Sequence, residues 1–209
     1  MKNFLLDGIL IALFVAELNF QNLPKVLHEI FGVAFTAAVV IHLWSNRRRL
    51  VAPAKKITPR KFFGVTIDFA LTICAAVIES SGVCLSNFLF AEAASFELRR
   101  NMTIHQLHVA LPYVAMILIG VHVGLHWREL RQKLFRRHEK IFLALFGVSA
   151  IIGTAGLSLN RVGDRILMKH IFATPATEFP AALFALMIVG GVILFALITV
   201  LLDKKFSGA

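Results

Sequence analysis

The chain has 209 residues, of which 58% are hydrophobic and 16% charged, and its mean hydropathy is +0.77. Soluble domains average roughly 45–50% apolar and about 25% charged residues, so a disordered chain, a collagen-like chain and an ordinary soluble enzyme are excluded. The net charge of +10, from 22 Lys and Arg against 12 Asp and Glu, then points to basic loops at a membrane face rather than to nucleic acid.

A helix needs about 20 apolar residues to cross the bilayer core. Six segments qualify in chain order: 4–20, 26–45, 63–86, 105–127, 140–158 and 181–202. The first is short and carries Asp7 and Glu17, which spoil the pattern of a signal peptide, and no small-residue cleavage site follows. It reads as a span. The expected fold class is therefore all-α, a polytopic membrane helix bundle of about six transmembrane helices in one integral domain over 1–209. Cys74 and Cys84 fall in one apolar segment, about 15 Å apart along a helix, too far for a mutual disulfide.

The loops set the orientation. Segments 46–61 and 128–140, with Lys2, Lys204 and Lys205, hold 16 of the 22 basic residues. If six spans alternate, all of these lie on one side. The positive-inside rule then places both termini in the cytoplasm of a multi-pass cytoplasmic-membrane protein. Segment 163–172 reads equally as a short amphipathic helix on the outer surface or as a loop. No loop is large enough for a soluble catalytic domain, and no Gly-rich phosphate loop is present.

Eight histidines are present, and four stand out by position. His28 and His42 lie near the two ends of span 2, and His108 and His122 near the two ends of span 4. Each pair is 14 residues apart. That spacing rises about 21 Å and returns to within about 40° of the same helix face. Spans 2 and 4 run in the same direction, so His28 and His108 share the outer level and His42 and His122 the inner level. Two imidazoles at one level, on two helices, suit a flat porphyrin held by two axial nitrogens. The expectation is two haems stacked between spans 2 and 4, with the haem-binding core in 1–130 and two further spans in 139–209.

Other groups compete for roles. His122 and His126 are four residues apart, and His105 and His108 three apart, spacings that also suit a zinc or non-haem iron clip. These pairs lie about 25 Å apart, so one cluster cannot use both. No intramembrane carboxylate is evident at the inner level. His105 and His126 are also rivals for the axial positions, or partners of a haem propionate or quinone oxygen. His122 is preferred because 18 residues, from His108 to His126, span about 27 Å, more than the spacing of His28 and His42. Arg47, Arg48, Arg49 and Arg128 at the inner interface either pair with propionates or simply anchor the topology. Gly32, Gly120 and Gly124 either let a porphyrin approach the backbone or simply reflect how common Gly is in membrane helices. Glu79, Ser80 and Ser81 form a polar spot toward the outer end of span 3. His138 and His170 lie in loops.

The H-E-x-x-G run at 28–32 and the H-x-W at 42–44 resemble the small flavinylation-associated cytochrome family. More broadly the chain resembles di-haem transmembrane cytochrome b proteins. The likeness covers best residues 4–127. It implies two non-covalent b haems, with axial ligation carried to His28, His42, His108 and His122. It also implies electron transfer across the membrane to or from the quinone pool or a separate extracytoplasmic flavoprotein, as the electron-transfer subunit of an oxidoreductase system. The chain lacks the C-x-x-C-H motif of covalent haem attachment. Two rivals are a haem-free transporter that uses the histidines as a proton or metal-ion path, and a membrane anchor for an enzyme subunit.

Overall fold

The structure is a computed structural model that describes residues 2–51, 58–127, 129–130, 139–169 and 175–206. Side chains are described for 4–47, 58–127, 129–130, 144–169 and 175–203. Among the described residues every regular element is helical. Six long helices occupy the six expected segments: α1 (Lys2–Leu18), α2 (Lys25–Val51), α3 (Pro59–Leu85), α5 (Met102–Leu125), α6 (Glu139–Leu159) and α8 (Ala181–Phe206). Two short helices lie in loops, α4 (Phe96–Arg99) and α7 (Val162–Ile166). The second resolves the choice at 163–172 toward one helical turn over its first part; residues 170–172 lie outside the described residues.

Four of these helices are long and apolar enough to cross a bilayer: Lys25–Arg47 of α2, all of α3 and α5, and Ala181–Asp203 of α8. The apolar stretch Ala144–Leu159 of α6 is shorter. α1 has 17 residues, a rise of about 25 Å, and two of them are acidic.

Local sequence explains where the helices begin. Thr58 caps α3 by accepting from Lys61 N, and Pro59 follows at the first helical position, where its missing N–H costs nothing. Asn101 caps α5 by accepting from Thr103 N and Ile104 N. Within α5, Pro112 withholds the N–H that would reach the carbonyl of His108, four residues earlier.

α5 sits between α3 and α8, and α6 packs against α8. α1 and α2 pair as a hairpin that meets the rest through lighter contacts of α2 with α3 and of α1 with α8. The core runs along α5 and α8, where Tyr113, Phe184 and Met116 are the largest fully buried side chains. Glycines let the backbones close up. A Cβ on Gly153 would stand 2.2 Å from the carbonyl carbon of Gly190, and one on Gly124 would stand 2.6 Å from the carbonyl oxygen of Ala196. In lipid, where apolar burial gives little drive between helices, such close approach is a main source of cohesion. Outward-facing Val40, Ile41, Trp44, Ile151 and Leu201 are exposed. With the apolar helices behind them, they give the molecule a surface suited to a lipid bilayer.

Side-chain contacts identify the two ends of the bundle. Asp7–His42, Asp68–His122 and Arg60–Asp203 lie at one end, together with the Arg60 bond to Leu125 O. Glu17–His28, Ser81–His108 and Glu29–Ser86 lie at the other. There Gln21 and Thr177 exchange two hydrogen bonds, Nε2 to O at 3.0 Å and N to Oε1 at 3.2 Å, tying the α1–α2 turn to the segment before α8.

Candidate functional site

At the Glu29 end, α2 and α5 bring the expected pair together. The ring centres of His28 and His108 are 6.2 Å apart, at an interplanar angle of 78°. Two imidazoles that share one metal ion through bonds of about 2.0–2.1 Å stand with ring centres roughly 6 Å apart. α2 and α5 form none of the bundle's main helix contacts, so the two rings meet edge to face where the helix backbones stand apart.

Each ring is held from behind. His108 Nδ1 lies 3.1 Å from the carbonyl oxygen of Ile78 and 3.1 Å from Ser81 Oγ. A carbonyl only accepts, so Nδ1 carries the proton and Nε2 keeps its lone pair. His28 Nδ1 lies 2.8 Å from Glu17 Oε2. The approach is short but bent, and Nδ1 is left without an aligned hydrogen bond. A carboxylate oxygen this close favours the Nδ1–H tautomer even where the bond is bent. Gly82 makes room for the His108 ring, since a Cβ there would stand 3.1 Å from its Cε1.

The Arg60 end repeats the arrangement only in part. His122 Nδ1 is 2.7 Å from Asp68 Oδ1, an aligned hydrogen bond. His42 Nδ1 is 3.1 Å from Asp7 Oδ1, again bent. Among the described residues, His42 and His122 make no ring contact with each other. His122 stacks instead on His126, with ring centres 4.6 Å apart, and His126 Nδ1 turns to the carbonyl oxygen of His122 at 3.0 Å. Thus His28, His42, His108 and His122 all present the same chemistry. In each, Nδ1 stands within 3.1 Å of an acceptor oxygen, aligned for His108 and His122 and bent for His28 and His42, which leaves Nε2 as the donor atom toward a metal.

These carboxylates correct the expectation that the inner level has none, since Asp7 and Asp68 are both there. Sequence reading also treated Asp7 and Glu17 only as flaws in a signal-peptide pattern. The available signal was general: ionisable residues inside apolar spans mark functional sites and have partners. A second correction concerns the glycines. Gly120 and Gly124 face α8, since a Cβ on them would stand 2.7 Å from Val192 O and 2.6 Å from Ala196 O, and Gly32 faces Glu17. The first two serve helix packing, because the α5 face opposite α2 is the one that meets α8.

The remaining candidates separate by position. His105 lies on the exposed surface one turn before His108, on α5. Arg47 is exposed, donates to Trp44 O at 2.8 Å and stacks over its ring at 4.5 Å. Arg128, His138 and His170, and the side chains of Arg48 and Arg49, lie outside the described residues. No group of three or more His, Cys, Asp or Glu able to hold a metal ion occurs among the described residues, so the His122–His126 clip finds no third ligand there. A haem needs only two axial nitrogens.

The polar spot on α3 is divided between two tasks. Glu79 Oε2 accepts from Thr36 Oγ1 at 2.6 Å, joining α3 to α2. Ser81 is buried against His108. Sequence reading missed Glu29, whose carboxylate accepts from Ser86 Oγ, Asn87 N, Phe88 N and Leu89 N at 2.8–3.3 Å. It latches the first turn of α2 to the loop that follows α3, one residue from His28. Neither a known protein family, nor a curated protein, nor a solved structure matches this chain.

Proposed function

We propose that the chain is a di-haem transmembrane cytochrome b of the cytoplasmic membrane, with six spans and both termini in the cytoplasm. The observation that carries this reading is the His28–His108 pair. The two rings sit 6.2 Å apart on helices that share no main backbone seam, each with Nδ1 facing an acceptor. These residues fit a bis-imidazole haem site at the outer level. His42 and His122, with Asp7 and Asp68 behind them, would hold a second haem at the inner level. The basic segments cluster at the Arg60 end, and the positive-inside rule makes that end cytoplasmic.

Bound haem supplies one-electron iron chemistry; the chain supplies what tunes it. Glu17, Asp7, Asp68 and the Ile78 carbonyl select the tautomer and raise the basicity of the ligating nitrogens. Apolar helices keep water from the site and lower its dielectric. Two levels about 21 Å apart make a relay across the bilayer core, and a quinone or an extracytoplasmic flavoprotein would be the exchange partner.

The test is a reduced-minus-oxidised spectrum with a pyridine haemochrome assay on purified protein. Two haem b per chain are expected. His28→Ala or His108→Ala should remove one haem, and His42→Ala or His122→Ala the other. Absence of a Soret band, after expression with ample haem, would overturn the reading and leave a histidine-lined proton path, for which the carboxylate-paired histidines are already arranged.

A further inference from the structure

The two levels are held unequally, and the difference bears on which one keeps an electron. At the inner level Asp68 Oδ1 accepts an aligned hydrogen bond from His122 Nδ1 at 2.7 Å, and Asp7 stands 3.1 Å from His42 Nδ1 without an aligned bond. At the outer level only His28 has a carboxylate behind Nδ1, Glu17 at 2.8 Å, also without an aligned bond. His108 rests on the neutral carbonyl of Ile78 and the hydroxyl of Ser81. A carboxylate that accepts from Nδ1–H pushes electron density into the ring and makes Nε2 a stronger donor. Stronger donation favours the more positive oxidation state of a bound metal, and a neutral acceptor does so less.

We infer that Asp68 makes the inner haem site the one of lower midpoint potential, and that Ile78 and Ser81, as neutral partners of His108, leave the outer site the higher. The inference rests on the di-haem reading. An electron shared between the two sites then comes to rest at the level of His28 and His108. Two further carboxylates stand at the outer level, and neither touches an imidazole. Glu29 is surrounded by loop donors from Ser86 to Leu89, and Glu79 is bonded by Thr36. Their field falls with distance, whereas the Asp68 contact acts directly on a ligand ring. Asp68 is thus a positioning residue that works through His122.

The experiment is a spectroelectrochemical titration of the full chain in nanodiscs of neutral lipid. The wild type should show two one-electron waves. In His28→Ala, which lacks the outer ligand, the surviving wave should be the lower one. Asp68→Asn should move the lower wave upward by at least tenfold in the reduction equilibrium, about 59 mV for one electron, and leave the upper wave in place. Asp68→Glu should restore the lower wave, which a purely structural role would not predict. The wave that survives in His28→Ala still tests the order should Asp68→Asn fail to fold. Two haems with the order reversed, or a lower wave unmoved by Asp68→Asn, would overturn the inference while the di-haem reading stands. A wild type without haem overturns both.

Discussion

Gly153→Ala is the sharpest test of how the bundle is held. The added methyl carbon would stand 2.2 Å from Gly190 C, 2.3 Å from Gly190 O and 2.5 Å from Gly191 N. All three are backbone atoms, so no side chain can swing aside. Ordinary carbon contacts need about 3.5–4.0 Å, and α6 must therefore recede from α8 by more than about 1 Å at the crossing. A gap of that size forfeits a quarter to a half of each dispersion contact along the most extensive helix seam in the molecule. Overpacking of this kind costs about 1–3 kcal/mol. Gly147→Ala on the same helix is the control, because nothing stands within 4 Å of a Cβ there. Both substitutions share the helix-propensity gain of up to about 1 kcal/mol, so their difference isolates the packing cost. The assay is reversible unfolding of the purified protein in mixed detergent micelles with increasing SDS, followed by far-UV circular dichroism. Gly153→Ala should unfold about 1–3 kcal/mol more easily than Gly147→Ala. Equal stability of the two variants would refute the close α6–α8 crossing.

Two further outcomes are expected. Glu29→Ala removes the acceptor of four hydrogen bonds from residues 86–89. Bonds to a charged group are worth about 1.5–3 kcal/mol each, so amide exchange at Asn87 and Leu89 should speed up at least tenfold, measured by hydrogen–deuterium exchange; unchanged protection would dismiss the latch. Gly82→Val crowds the His108 ring, whose Cε1 is already 3.1 Å from a built Cβ. It should shift or remove one haem's α band and spare the other's, and a spectrum like that of the wild type would show that the ring has room.

The site was legible in the sequence to the extent that it depends on periodicity. The 14-residue spacing of His28–His42 and His108–His122 follows from helix geometry, and the parallel sense of their helices from counting spans. The partners of those histidines were not legible. Asp7 and Glu17 lie on α1, Asp68 and Ser81 on α3, and their relation to a histidine on another helix depends on rotation and tilt. A one-dimensional pattern holds the face of a helix but not the neighbour that the face meets. Gly120 and Gly124 show the same limit, since small residues look alike whether they admit a ligand or a helix.

Composition and apolar run length by themselves determined an all-helical molecule with a surface suited to lipid. Backbone groups in hydrocarbon must be satisfied within each segment, so about 20 apolar residues leave the chain little choice but a helix. The tertiary structure alone decided that His122 stacks on His126 and not on His42, that His108 and His122 hold Nδ1 against the Ile78 carbonyl and the Asp68 carboxylate, and that Glu29 ties α2 to the loop after α3. Those outcomes depend on contacts of a few ångströms between distant parts of the chain. They are set by which helix faces pack most closely, a property of the whole bundle rather than of any segment.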